Sequence, residues 1–126
     1  GDIIIESYAS SIHADGGEYL TYRLTARNTD EFATVEGYEF IDDIRDLMSF
    51  IELNGDGSPR LYEVEINGEA QETPVYDSAR GFLSWAEVDL DVDINPEEVR
   101  YFRVHLLPRS EWPLYDPEVY TLINEF

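Results

Sequence analysis

Along Glu18–Asn28, Leu20, Tyr22, Leu24 and Ala26 fall on one side of an extended chain, with Tyr19, Thr21, Arg23, Thr25 and Arg27 on the other. A period of two belongs to a strand with one dry face and one wet face. Such a strand must be covered by a second layer. Two further runs, Phe82–Ile94 and Val99–Leu107, follow with turns between them. This pattern predicts an antiparallel β-sandwich, with a closed barrel as the alternative, and sandwiches of this size are more often binding or spacer modules than enzymes.

The remaining punctuation fills in the layout. Ile3-Ile4-Ile5 opens a first, edge strand that is expected to continue raggedly to Ile12, and His13–Gly17 is a turn with paired glycines. Thr34–Ile41 reads as a strand with Tyr38 and Phe40 on one face. The period then changes: Ile44, Leu47, Met48 and Ile51 stand at helical spacing behind Asp42 or Asp43, which predicts a short helical crossover over Asp43–Ile51. Asn54–Pro59 is a loop, and Arg60–Ile66 alternates again with Tyr62, Val64 and Ile66 on one side. Asn67-Gly68 is a two-residue hairpin turn, so a partner strand is expected over Glu69–Tyr76, held to an edge by Pro74. Asp77–Gly81 turns into the run from Phe82, Asn95-Pro96 turns out of it, and Val119–Phe126 is the expected closing strand. Tyr22, Leu24, Leu83, Trp85, Phe102, Val104 and Ile123 are the expected core.

At 126 residues the chain suits one domain, and its 43% hydrophobic content supplies a core despite the charge. Its start at Gly1 and its end at Phe126, close to strands, suggest a module excised from a longer protein. The net charge is −20, from 28 acids against eight basic residues, all of them arginine. Phosphate backbones need clustered Lys and Arg, so nucleic acid is excluded as a partner, and anionic membrane surfaces are disfavoured. No apolar run approaches the roughly 20 residues that cross a bilayer, so no membrane insertion is expected. The acid excess reads either as a solvated, self-repelling surface or as adaptation to salt or divalent cations. Absence of cysteine removes disulfides, thiolate zinc sites and cysteine nucleophiles. Absence of lysine removes any Lys–Asn isopeptide crosslink.

Tyr19–Asp43 carries Thr21-Tyr22, Leu24, Ala26, Asn28-Thr29 and Asp42 or Asp43 at the places where the conserved-repeat family of prokaryotic surface proteins (the domain of unknown function numbered eleven) has its Thr-Tyr, apolar beat, Asn-Thr-Gly and later Asp. Leu83-Ser84-Trp85, the beat Phe102, Val104, Leu106 and the closing Leu122-Ile123-Asn124 are similar to that family's second half. The chain resembles the family over most of its length. Asp30 stands where Gly is usual, and Arg45-Asp46 replaces Leu-Pro. The resemblance implies an immunoglobulin-like module of adhesins, stalks or surface layers, with Greek-key connections and no catalysis.

The residues offer little for chemistry. The two histidines, His13 in a turn and His105 in a strand, lack the strand-Ser-turn-helix surroundings of a nucleophile elbow and read as incidental. With 28 acids, a pair at glycosidase distance carries no weight. A calcium loop is the sharper alternative. Glu52, Asn54, Asp56, Gly57, Ser58, Arg60 and Glu63 fall at positions 1, 3, 5, 6, 7, 9 and 12 of such a loop, so Glu52, Asn54, Asp56 and Glu63 are the candidate ligands. Glu at the first position, Pro59 within the loop and a following strand stand against it. Asp89, Asp91 and Asp93 alternate with apolar residues and are expected to share one strand face, solvated or bridged by cations. Trp85 is expected in the core. Trp112, in a proline-flanked loop with Tyr115, is read either as a cap over the open end of the sandwich or, with Tyr115, as a candidate ligand contact.

The expectation is a non-catalytic spacer or adhesion module of an exported prokaryotic surface protein, extracellular, touching neighbouring modules or a surface partner and needing no cofactor. The alternative is a calcium-dependent or carbohydrate-binding module of an extracellular protein. A carboxylate-pair enzyme is the third reading, and nothing in the chain forecasts its cleft.

Overall fold

The computed structural model describes residues 3–9, 17–71 and 73–113. Tyr115, Ile123, His13, the far end of the first expected strand and the expected closing strand lie outside the described residues. The fold is all-β and antiparallel. One sheet runs in the order β1 (Ile3–Ala9), β2 (Tyr19–Asn28), β10 (Glu97–His105), β5 (Leu61–Ile66), β6 (Glu69–Ala70). The facing layer pairs β3 (Val35–Tyr38) with β9 (Val88–Leu90), and β4 (Ile41–Asp43) with β8 (Phe82–Ser84) and β7 (Val75–Asp77). The ladders of the two layers are separate among the described residues, which is a sandwich and not a closed barrel.

Alternation decides the core. Leu20, Tyr22, Leu24 and Ala26 from β2, with Phe102 and Val104 from β10, are at most 2% exposed, and they meet Phe40, Leu83, Trp85 and Leu90 of the other layer. Phe102 stacks on Tyr22 with ring centroids 5.3 Å apart and reaches Trp85 across the sandwich at 6.1 Å. Each of the six expected core residues that is described is buried. Asn67-Gly68 makes the hairpin expected of it, with φ of 51° and 83° at the two turn residues and Ile66 opposite Glu69.

Four expectations change. The run Glu69–Tyr76 is not one strand: β6 stays in the five-stranded sheet, the chain crosses near Pro74, and β7 joins the other layer. In Arg60–Ile66, Val64 and Ile66 face the core, but Tyr62 does not. Glu63 and Val64 together oppose Phe102, with Glu63 at φ 51°, so this bulge turns Leu61 inward and Tyr62 outward. The expected strands Thr34–Ile41 and Phe82–Ile94 are each broken, by 39–40 and by 85–87, into β3/β4 and β8/β9. The helical crossover shrinks to a single 3-10 turn, Arg45–Leu47, which nevertheless seals the core end with Ile44 and Leu47.

The interior also holds charge. Arg100, on the inward face of β10, is 1% exposed, with its guanidinium 4.6 Å from the centre of the Phe40 ring. It donates to the Val99 carbonyl at 3.2 Å and lies 3.5 Å from Glu98. Asn67 ties this corner to the hairpin, its amide nitrogen donating to Glu98 and its oxygen accepting the Val99 N–H. Burial lowers the Arg100 pKa, with Glu98 opposing the shift. Burial and the nearby charge of Asp42 raise that of Tyr22.

Candidate contact face

The outer face of the five-stranded sheet is made by the wet halves of the same alternating strands. Antiparallel register aligns its residues in rows. Tyr8, Arg23, Tyr101 and Glu65 lie side by side across four strands, and Thr21, Arg103 and Tyr62 form the next row. Ile4, Arg27 and Glu97 form a row towards one end, and Tyr19 and His105 pair at the other. Tyr8 and Tyr19 are 56% and 41% exposed, so this surface presents aromatic area to solvent.

Arginine and tyrosine are locked together there. Arg103 lies over the Tyr19 ring at 4.8 Å, Arg60 over Tyr62 at 5.2 Å and Arg23 over Tyr8 at 6.0 Å. Tyr19 also meets Tyr62 edge-on at 5.2 Å and His105 at 4.8 Å. Arg23, Arg27, Arg60 and Arg103 are half of the arginines in the chain.

Two of the candidate calcium ligands belong to this face as counter-ions. The segment after Phe50 runs beside the end of β10, with the Glu52 N–H donating to the His105 carbonyl at 2.8 Å. That pairing points the Glu52 carboxylate at Arg60 (2.8 Å), the Tyr62 hydroxyl (3.0 Å) and His105 Nδ1 (3.1 Å). Its pKa falls below the ordinary carboxylate value, chiefly through the Tyr62 hydrogen bond and then through Arg60 and His105. Glu63, displaced by the bulge, reaches Arg103 at 3.3 Å.

The other two ligands serve their own loop. Asn54 donates to Ser58 Oγ and the Pro59 carbonyl, while Asp56 accepts from the Ser58 N–H at 3.0 Å and its hydroxyl at 2.6 Å. Those Ser58 hydrogen bonds lower the Asp56 pKa. Among the described residues, no group of three or more His, Asp or Glu side chains is gathered to hold a metal ion. Asp89, Asp91 and Asp93 do not share a strand face either. β9 ends at Leu90, Asp89 accepts the Gly37 N–H, and Asp91 turns back on the Asp93 N–H in a tight loop closed against Asn95.

Trp112 caps the core. The 3-10 turn Arg109–Glu111 folds it inward to 5% exposure, its indole N–H donates to the Leu107 carbonyl at 2.8 Å, and its ring meets Phe50 edge-on at 5.5 Å. A buried, internally bonded Trp112 has no free face for a ligand, and Tyr115 lies outside the described residues. Sequence reading missed the contact face, although Tyr19, Arg23 and Arg27, and Tyr101, Arg103 and His105, already stood on the wet phase of the two clearest strands. Comparisons of the chain with protein-family models, with curated proteins and with solved structures find no match.

Proposed function

We propose that this chain is a non-catalytic structural spacer or adhesion module, an immunoglobulin-like unit of an exported prokaryotic surface protein of the conserved-repeat kind that it resembles. The observation that carries the reading is the exposed Arg–Tyr face, which gathers half of the arginines of a chain with 28 acids against eight arginines. Tyrosine and arginine are, with tryptophan, enriched among the residues that carry binding energy at protein interfaces, and an open sheet face suits a broad partner better than a small substrate. The acid excess keeps the rest of such a module apart from its neighbours and confines contact to this face.

Two measurements test it. Antibodies raised against the module should label intact cells of its source organism, and labelling only after permeabilisation would end the surface reading. Paired Arg23→Glu and Arg103→Glu changes should weaken attachment of cells displaying the protein while leaving the circular dichroism spectrum unchanged. Attachment at the unaltered level would remove the face from the adhesion reading.

A further inference from the structure

The sheet edges of this sandwich are not alike. Among the described residues, the edge strands β3, β4, β7 and β9 are three or four residues long, and β6 is two. Short edges leave little backbone for another chain to pair with. β1 is seven residues long and pairs with β2 on one side, with no strand on its other side among the described residues. Ile3–Ala9 contains no proline, and its register with β2 runs from Ile3–Asn28 to Ala9–Tyr22 without a bulge. The devices that ordinarily blunt an edge are missing from it.

The facing layer also stops short of β1. Ile5, Ser7 and Ala9 stand opposite Ala26, Leu24 and Tyr22, which are at most 2% exposed, yet all three are themselves exposed, Ile5 to 51%. Ile4 and Tyr8 are exposed on the outer phase. β1 therefore offers a backbone edge with apolar side chains on both faces. It is also where two copies of a chain of net charge −20 can approach with little repulsion, since its only charge is Glu6.

Charge selects what fits the edge. Glu6 and Arg23 have no ion-pair partner among the described residues. Arg23 reaches from β2 over Tyr8, 6.0 Å from the centre of its ring. A second β1 laid antiparallel with Ser7 opposite Ser7 brings the partner's Glu6 beside Tyr8, within reach of Arg23. The same register sets Ile5 against the partner's Ala9 on the inner phase. Centring the pair one residue earlier would set the two Glu6 carboxylates side by side, which is destabilising. Each copy makes the same contacts, so the interface is isologous and closes as a dimer.

We infer that β1 is the docking edge for a second copy of this chain, through two-fold antiparallel pairing of β1 with β1 centred on Ser7. The two five-stranded sheets then form one continuous sheet, and their Arg–Tyr faces become one doubled surface. The pairing does not rest on display at a cell surface.

Sedimentation velocity at physiological ionic strength reads the association. The unaltered chain should sediment as a dimer that dissociates on dilution. Ser7→Lys, which brings two like charges together at the centre, should leave only monomer. Glu6→Arg or Arg23→Glu alone should weaken association about tenfold or more, and the two combined should restore it, because the pair is rebuilt with its charges exchanged. Circular dichroism checks that each variant is folded, and the charge exchange decides if Ser7→Lys is not. A monomer at every concentration would overturn the inference, and protection of its β1 amides from hydrogen exchange would show that the chain covers its own edge. A dimer untouched by Ser7→Lys, or charge reversals that do not rescue each other, would overturn it as well. These outcomes leave the cell-labelling experiment unaffected.

Discussion

β2 and β10 pair from Arg27–Glu97 to Tyr19–His105 without a slip, while the ribbon facing them slips twice. In that ribbon, 36–37 oppose Asp89 alone, and 85–87 oppose 39–40. Gly37, at φ 64°, provides the left-handed residue at the first slip. At the second, the Trp85 N–H still donates to the Phe40 carbonyl at 3.1 Å, and the two rings sit 6.5 Å apart in the core. The contrast separates two uses of a sheet. Unbroken alternation along β2 and β10 produces an outer face on which arginine and tyrosine line up in rows. Slips re-aim side chains instead: they turn both Trp85 and Val88 towards the core and leave Ser84–Ala86 at the wall of a groove.

The largest expected effects test whether both halves of the sandwich are packed equally well. Phe102→Ala in the continuous sheet should destabilise by about 3–5 kcal/mol and Leu83→Ala in the interrupted one by about 2–5 kcal/mol, through lost transfer energy and a residual cavity. Chemical denaturation would measure both. A small loss at Leu83 alone would mean that the slips loosen their half of the core.

Next comes the charged corner between the layers. Arg100→Ala should destabilise by about 3 kcal/mol or more, because it removes the cation beside Glu98 and vacates the space over Phe40. Arg100→Met together with Glu98→Leu should recover most of that loss, since an apolar pair of similar volume needs no compensating charge. If the double variant were no more stable than Arg100→Ala, the corner would contribute through the Asn67 hydrogen bonds rather than through the ion pair.

A smaller loss is expected at Gly81, in the turn leading into β8. Its φ is 74°, and an added methyl group would collide with the Arg45 side chain. Gly81→Ala should therefore destabilise by about 1–2 kcal/mol from backbone conformation alone. The same change combined with Arg45→Ala would retain the backbone part and lose the collision, and equal melting temperatures for the two variants would show that Arg45 moves freely aside.

The smallest effect is in the acid limb. Asp30, Asp43, Glu52 and Asp56 all have folded-state pKa values below their ordinary ones. Depressed carboxyls stabilise the fold fully above their unfolded pKa of about 4, and that contribution disappears as the pH drops through the lower folded values. Melting temperature should fall in that window, and Glu52→Gln should flatten part of the fall. An unchanged acid limb in Glu52→Gln would mean that Arg60, Tyr62 and His105 gain nothing from its charge.

The legible and illegible parts follow particular residues. Leu20, Tyr22, Leu24, Phe102 and Val104 announce their burial by phase, and Asn67-Gly68 announces a hairpin, because each signal lies within a few neighbouring residues. Tyr62 misleads because its phase is reset by a bulge next to it. Trp112 is ambiguous in its loop, since only the arrangement of Phe50 and Leu107 around it decides whether it is covered. The calcium spacing at Glu52–Glu63 is real in one dimension. In three, Glu52 and Glu63 are turned to Arg60 and Arg103, and Asp56 to Ser58.

By itself, then, the order of residues determined an all-β chain, the strands β2 and β10 with their inner and outer faces, and one tight hairpin, all of which arise from local periodicity and turn chemistry. Tertiary structure alone decided where the facing ribbon slips, which layer takes β7, how Arg100 and Glu98 come to lie inside, and which arginine each candidate ligand meets. The physical reason is that a bulge is a two-against-one count between paired strands, and which arginine a carboxylate meets depends on where the paired strands place the two side chains. Neither quantity exists until the partner strand is in place.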